Sequence, residues 1–251
     1  MKILIFLVEY RNQDDIINLI AKNDNLNIHW VVACNYSKKP FLNQDNIEFI
    51  INKTNDGYIN PFINYLKNNN KNFDYKILSN SDIIIDELFF KKLIDFNVEN
   101  NIGLIAPNIR LINGANQNPN VLFRPSKFKM LILRTMYSNN FFHLILLFRK
   151  KIKDNIKTHF SKKYMYSAHG SFLIFTKNVN FRLWSNFNSF LQDEEYYIAE
   201  ELILQNKKTL YKSDLKIIHD EHRVTKGFFN NNRNRLWHKE SINFIYNTYF
   251  K

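Results

Sequence analysis

The apolar positions of this chain fall in short, dense runs separated by longer stretches with helical spacing. Ile3 to Val8 is apolar throughout, and Ile28–Ala33, Tyr75–Leu78 and Ile102–Ala106 are comparable runs. Runs of this length without polar alternation read as strands covered on both faces. Between them, Asp14–Ala21 gathers Ile16, Ile17, Leu19 and Ile20 on one side, and the spacing predicts further helices over about Pro61–Lys67 and Glu87–Phe96. Strands alternating with helices predict an α/β fold with a mixed, mostly parallel sheet flanked by helices. Ligands of such sheets sit beyond the carboxyl ends of the strands, which directs attention to residues 8–12, 34–37 and 79–82.

The second half continues with a strand over Lys208–Tyr211, a turn at Ser213-Asp214 and an apolar segment ending Ile217-Ile218-His219. A helix follows over about Asn231–Tyr249, whose Leu236, Trp237, Ile242, Ile245 and Tyr249 suit packing or a homo-oligomer contact. No repeat and no Gly/Ser or Pro linker divides the chain. The expectation is one domain over 1–230, carrying an insertion at 126–163, and a C-terminal helix over 231–251.

Charge marks that insertion. The 251 residues carry a formal charge of +12, and between Ser126 and Lys163 ten Lys and Arg side chains face Asp154 alone. Apolar clusters at Phe128–Leu133, Phe141-Phe142 and Leu144–Phe148 interleave with them. This density of basic and apolar residues suits a helix lying on an anionic bilayer, the other reading being a helical subdomain with a solvated basic face. The excess charge as a whole asks for a polyanionic partner. At 45% hydrophobic and 16% aromatic residues the chain can build a sizeable core, which excludes disorder. One cysteine, Cys34, excludes a disulfide scaffold and a cysteine-based zinc site. Ile3–Val8 is far below the ~20 residues of a membrane span, and no small-residue cleavage site follows it, so a cytoplasmic location is expected.

Several polar groups fall where the strands end. Glu9-Tyr10-Arg11-Asn12 closes the first strand and Cys34-Asn35-Tyr36-Ser37 the second, within reach of a base and ribose or simply as loop residues. Asn55-Asp56-Gly57-Tyr58 reads as a turn before a helix, with Gly57 supplying a positive φ and the helix amides able to face a phosphate. Asp82, ending Ile77-Leu78-Ser79-Asn80-Ser81-Asp82, could hold a divalent cation that bridges a diphosphate, or could cap the helix expected at Glu87. Asp193-Glu194-Glu195 reads as a helix N-terminus favoured by the dipole, or as carboxylates presented to a substrate hydroxyl as general base. His219, with His222, could complete a metal site with Asp82 or contact a phosphate.

In this order the pieces resemble a known family: a strand with a short polar end, Asn-x-Gly-Tyr, an apolar strand ending Asn-Ser-Asp, then Ala106-Pro107-Asn108, Gly114 and Arg124-Pro125. His169-Gly170-Ser171-Phe172, Phe187-Asn188-Ser189-Phe190-Leu191-x-x-Glu194-Glu195 and Ile-His-x-x-His complete it. The series is similar to bacterial family 2 glycosyltransferases of the GT-A, Rossmann-like fold, in their rhamnosyltransferase-like, surface-polysaccharide branch. The resemblance spans about residues 1–225. It implies an inverting transfer from a nucleotide-diphosphate sugar to a glycan or lipid-linked acceptor, in lipopolysaccharide or related assembly, with Mg²⁺ or Mn²⁺ as cofactor. It aligns Glu9, Asn35, Gly57, Asn80, Asp82 and Gly170 with the donor side, and Asp82 and His219 with the metal. Asn80 stands where the family's first metal-binding acid often lies. Glu194-Glu195 matches a Glu-Asp pair whose second acid, here Glu195, is the catalytic base.

The chemistry agrees with the residue types. A departing diphosphate must be neutralised, and inversion needs one base on the face opposite the leaving group. Two other classes stand beside this reading. A sugar nucleotidyltransferase would carry a Gly-rich phosphate loop after the first strand, where Glu9-Tyr10-Arg11-Asn12 has no glycine. A nucleic-acid-binding protein would set stacking aromatics along a basic groove, whereas the charge here lies beside aliphatic residues. An anionic membrane surface, on the inner face of the cytoplasmic membrane, is therefore the expected partner, and nucleic acid is not.

Overall fold

The computed structural model describes residues 1–23, 28–139, 163–220 and 231–251. Its first half follows the expected alternation: β1 (Ile3–Glu9), α1 (Gln13–Lys22), β2 (Ile28–Cys34), β3 (Ile47–Ile51), α2 (Ile59–Asn68) and β4 (Tyr75–Ser79). Then come β5 (Ile83–Ile85), α3 (Phe89–Ile94), β6 (Ile102–Leu111), α4 (Lys127–Ser138), β7 (Tyr164–Met165) and β8 (Phe172–Thr176). The chain closes with α5 (Glu194–Leu204), β9 (Lys208–His219) and α6 (Asn231–Tyr249).

The strands form one mixed sheet in the order β3-β2-β1-β4-β8-β6-β9-β5, with β7 on β9. The run β3-β2-β1-β4 is parallel, and so is β6–β9. The pairs β4–β8, β6–β8, β5–β9 and β7–β9 are antiparallel. Both faces are covered, which is why β1 is apolar at successive positions. Leu4 and Phe6 join the side built on Phe62, Phe175, Trp184 and Tyr197, while Ile3, Ile5 and Leu7 join Trp30, Phe89 and Phe172. Burial of this kind yields about 1.5–3 kcal/mol per large side chain before entropy is charged against it.

Three local expectations change. The strand β5 stands where a direct passage into a helix was expected, and α3 begins only at Phe89 with Leu88 at its N-cap. Asp82 therefore caps no helix. The expected turn at Ser213-Asp214 is an irregularity inside one long strand: β9 runs parallel to β6 with a register shift after Pro107–Lys212. The weakly patterned Ile47–Ile51 forms the edge strand β3.

Of the basic insertion, α4 falls within the described residues, and 140–162 lie outside them, as does His222. Ser126 caps α4 by accepting a hydrogen bond from the Lys129 amide at 3.2 Å. Met130 is its buried side chain, whereas Phe128, Leu131 and Ile132 are exposed. The helix packs on α6, whose Ile242 and Ile245 enter the core, so α6 closes one face of the sheet. Among the described residues, no helix is long and apolar enough to cross a membrane.

Candidate functional site

The carboxyl ends of β1 and β2 are tied together by one buried carboxylate. Glu9 has no exposed surface; its Oε2 accepts the amides of Tyr36 and Ser37 at 3.2 and 2.9 Å, and its Oε1 that of Arg11 at 3.1 Å. With both oxygens engaged by backbone, Glu9 holds the two loops in place. Arg11, in a left-handed conformation, stacks its guanidinium 4.8 Å from the ring of the exposed Tyr36. Asn35 is used in the same inward way. Its amide donates to Asn55 Oδ1 and the Gly57 carbonyl, both at 2.9 Å, and its oxygen accepts from Asn52 at 2.7 Å. Gly57 has the positive φ expected of it, at +78°, and a Cβ there would collide with the Phe190 carbonyl oxygen. The turn is thus pressed against the segment that leads to α5.

Asp82 lies between β4 and β5. Because β5 pairs with the end of β9, placing Ile83 opposite His219, the Asp82 carboxylate meets the imidazole across the edge. Asp82 Oδ1 is 3.2 Å from His219 Nε2, both side chains are buried, and this oxygen accepts no hydrogen bond. Gln117 Oε1 lies 2.7 Å from His219 Nδ1; an amide oxygen can only accept, so Nδ1 carries the proton. In the neutral form of the ring, Nε2 then presents a lone pair toward Asp82 and toward the Asn80 side-chain amide at 3.3 Å. Two lone-pair donors facing each other, one of them an unsatisfied buried carboxylate oxygen, suit a hard divalent cation. Among the described residues no cluster of three His, Cys, Asp or Glu side chains could hold a metal ion, so these two would need oxygens from a bound diphosphate or water to complete a shell.

The carboxylate pair reaches the same edge from the other side. The antiparallel partner of β4 is β8, which brings its amino end, Gly170-Ser171-Phe172, against Ser79-Asn80. The Asn80 amide donates to the Ser171 carbonyl at 2.9 Å, and the Gly170 amide donates to Glu195 Oε1 at 3.2 Å. Gly170 has no room for a side chain without crowding that carboxylate. The Tyr58 hydroxyl donates to the Gly170 carbonyl at 3.1 Å. Burial above all, then the negative field of Glu194, Asp82 and Glu195, holds the Tyr58 hydroxyl well above its usual range, so it stays a donor. One short chain of contacts thus runs from Asp82 through His219 and Asn80 to Ser171-Gly170, and from Gly170 to Tyr58 and Glu195.

Glu194 and Glu195 open α5 while still grazing solvent. Burial raises both carboxyls; Glu194, pressed further by Glu195 and Asp193, is pushed up to about 8. For Glu195 the rise from burial is opposed by its own amide, by the Gly170 amide and by His238. Tyr58, Gln117 and His238 were not among the site residues expected from sequence. The first belonged to a motif read only for its glycine, and the other two carried no local signal.

No family model matches the sequence, and no curated protein matches it. Solved structures do share its fold. Residues 1–349 of S. aureus TarS match with a TM-score of 0.56 at 14% identity, over 88% of this chain and 60% of that one. The same protein in complex with UDP-GlcNAc matches at 0.56 and 13%, over 94% and 64%. GalNAc-T7 with UDP, GalNAc and Mn²⁺ matches at 0.59 and 12%, over 88% and 44%. The chain thus spans between 44% and 64% of the length of these structures. The fold is GT-A-like, with a mixed nine-strand sheet among the described residues, as the resemblance implied.

Proposed function

We propose that this protein is an inverting glycosyltransferase that moves a sugar from a nucleotide-diphosphate donor onto an acceptor hydroxyl. The observation that carries the reading is the meeting, at one sheet edge, of an unsatisfied Asp82–His219 pair and a carboxylate, Glu195, positioned by the Gly170 amide. The first suits a diphosphate with its cation and the second suits a proton acceptor. The UDP-GlcNAc bound by TarS, and the UDP and Mn²⁺ found with GalNAc-T7, support the same donor class and cofactor.

In this mechanism Asp82 Oδ1 and His219 Nε2 would hold Mg²⁺ or Mn²⁺. Bound there, the cation would neutralise charge on the departing diphosphate. Gln117 keeps the His219 tautomer that exposes Nε2. Glu9 and Asn35 fix the loops on which the nucleotide would lie, while the Gly57 turn packs those loops against the base side. Glu195 takes the proton from the attacking hydroxyl, a contribution of ~10²–10⁴ in rate. Burial raises both carboxyls, and the field of its neighbours raises Glu194 further, so the pair favours holding a proton over carrying two adjacent charges.

The acceptor in this reading is a glycan or a lipid-linked one, in cell-surface polysaccharide or lipopolysaccharide assembly. The support is α4, whose exposed Phe128, Leu131 and Ile132 lie among the exposed Lys127 and Lys129, a composition suited to an anionic membrane surface. Residues 1–230 would be the catalytic domain and 231–251 its closing helix. The direct test is nucleoside-diphosphate release from a panel of UDP-, dTDP- and GDP-sugars, with a CMP-sugar as the monophosphate control, with and without Mn²⁺ and with a lipid-linked acceptor. Release from one donor that rises with acceptor supports the function; no release from any donor refutes it.

A further inference from the structure

Resting on that reading, we infer that α6 and α4 form a latch on the segment 187–195, in which His238 is a positioning residue for the catalytic carboxylates. The segment cannot hold its own shape. Gln192 and Asp193 are consecutive non-glycine residues at positive φ, 77° and 56°. L-residues with a Cβ resist this region, so two in succession persist only where the surroundings impose them. They stand immediately before Glu194 and Glu195, so any relaxation there re-aims both side chains.

The imposing contacts come from α6. His238 Nδ1 is 2.6 Å from Asp193 Oδ2, with both side chains largely buried. Asp193 occupies the N-cap of α5, where an aspartate ordinarily accepts a hydrogen bond from the helix amides, yet it makes no such bond. Its carboxylate is spent on α6 instead. Two further ties fall on the same segment: Ser241 Oγ donates to the Leu191 carbonyl at 3.1 Å and lies 2.5 Å from Ser189 Oγ, and Trp237 packs 5.3 Å from the ring of Phe190. Phe190 in turn seats its carbonyl over Gly57.

The latch has a second layer. Tyr137 of α4 stacks on the His238 ring, with centroids 4.6 Å apart and 11° between planes, and its carbonyl accepts from Arg235 Nη1 at 2.7 Å. The His238 ring is held in plane by α4 while its Nδ1 holds Asp193. The helix that opens the basic insertion is thereby joined to the proposed base through the side chains of Tyr137, His238 and Asp193.

The test separates the bond from the packing. His238→Phe keeps a ring on Tyr137 and removes the bond to Asp193; His238→Asn keeps a donor near the Nδ1 position and removes the ring. The measurements are amide hydrogen exchange over 187–195 and the kinetics of transfer. His238→Phe should speed exchange in 187–195 while the β1, β4 and β8 amides stay protected. It should also lower kcat about 10- to 100-fold with the donor KM unchanged, the scale of a misplacement near 1 Å. His238→Asn should restore kcat to within about threefold of wild type. Unchanged exchange and kcat in His238→Phe overturn the latch, and so does His238→Asn falling as far as His238→Phe. Hydrogen exchange needs no substrate, which keeps the two ideas apart. Faster exchange in a chain that transfers no sugar refutes the catalytic role together with the proposed function. A working transferase with unaltered exchange refutes the latch alone.

Discussion

The two sides of the candidate site are rigid for different reasons. On the proposed donor side, the loops after β1 and β2 are fastened from within by Glu9, a strand residue whose carboxylate collects three amides, all within 28 residues of it. On the base side, the segment before α5 is fastened from outside, by His238 and Ser241 some 45 and 50 residues further along the chain. A self-fastened loop is part of the folding unit and fails with it. A loop held by a distant helix can shift while the sheet remains intact. Damage on the donor side should therefore register as lost stability, and damage on the base side as lost rate.

The largest effect is expected at the base. Glu195→Gln keeps the size and the bond from Gly170 but accepts no proton, so transfer should fall by ~10²–10⁴ with donor affinity near wild type. Glu194→Gln should do less, because the contact to Gly170 belongs to Glu195. The raised carboxyl also sets a pH dependence. A base works only when deprotonated, so the rate should be lost as pH falls through a pKa above the ordinary carboxylate value of 4.5. Stability runs the other way: the folded pair binds protons more tightly than the unfolded chain, so the fold loses stability as pH rises through that window. A rate profile whose acid limb lies at or below 4.5, or a near-neutral Glu195→Gln, would break the base-side half of the comparison.

Glu9→Gln gives the opposite signature. An amide in place of the carboxylate leaves at least one of three part-buried N–H groups without its acceptor, a cost of about 1 kcal/mol. Thermal unfolding should show the loss, while kcat per folded molecule stays close to wild type. If kcat falls and the melting temperature does not, Glu9 contacts the donor directly.

These two regions also differ in how far the sequence disclosed them. The apolar β1 with a carboxylate at its end is visible to simple patterning, because burial on both faces leaves an unbroken run. So are Asp82 at the end of β4 and His219 at the end of another apolar segment. Their meeting was one of the two options read for His219, whereas the strand β5 that brings it about was not read. Three isoleucines between Asp82 and Asp86 are too few to distinguish strand from helix, and the periodic stretch after them favoured an early helix. Tyr58 and Gln117 take their roles from tertiary neighbours, Gly170 and His219, that no spacing along the chain predicts. The α6 helix was foreseen by its apolar side chains, yet His238 lies off that pattern and gains meaning only from the unusual backbone of Asp193.

Between the two sides lies Asp82, which should respond as neither does alone. It sits at an edge, outside the apolar clusters, so Asp82→Ala should leave the fold intact. Calorimetry in Mn²⁺ should then show donor affinity reduced by about tenfold or more, about 1.4 kcal/mol, with little difference once the cation is chelated. Equal affinity in wild type and variant with Mn²⁺ present would remove the metal from this edge and leave His219 as a phosphate contact.

The smallest effect concerns the outer face of the latch. Lys127 and Lys129 are exposed on the first turn of α4, beside Phe128, which is 70% exposed, and on the helix that carries Tyr137 to His238. Each charge near an anionic surface contributes about 1 kcal/mol, so replacing both by Gln should weaken cosedimentation with phosphatidylserine-containing vesicles by roughly tenfold or more. Binding to neutral vesicles should change little, and raised salt should erase most of the difference, since the attraction falls off within a Debye length. Neither lysine touches the segment 187–195, so turnover of a soluble acceptor should be unaffected, and only a vesicle-borne acceptor should be used more slowly. If both acceptors slow equally, α4 acts through its packing on α6 and not through the membrane. The basic helix would then belong to the base side of the site.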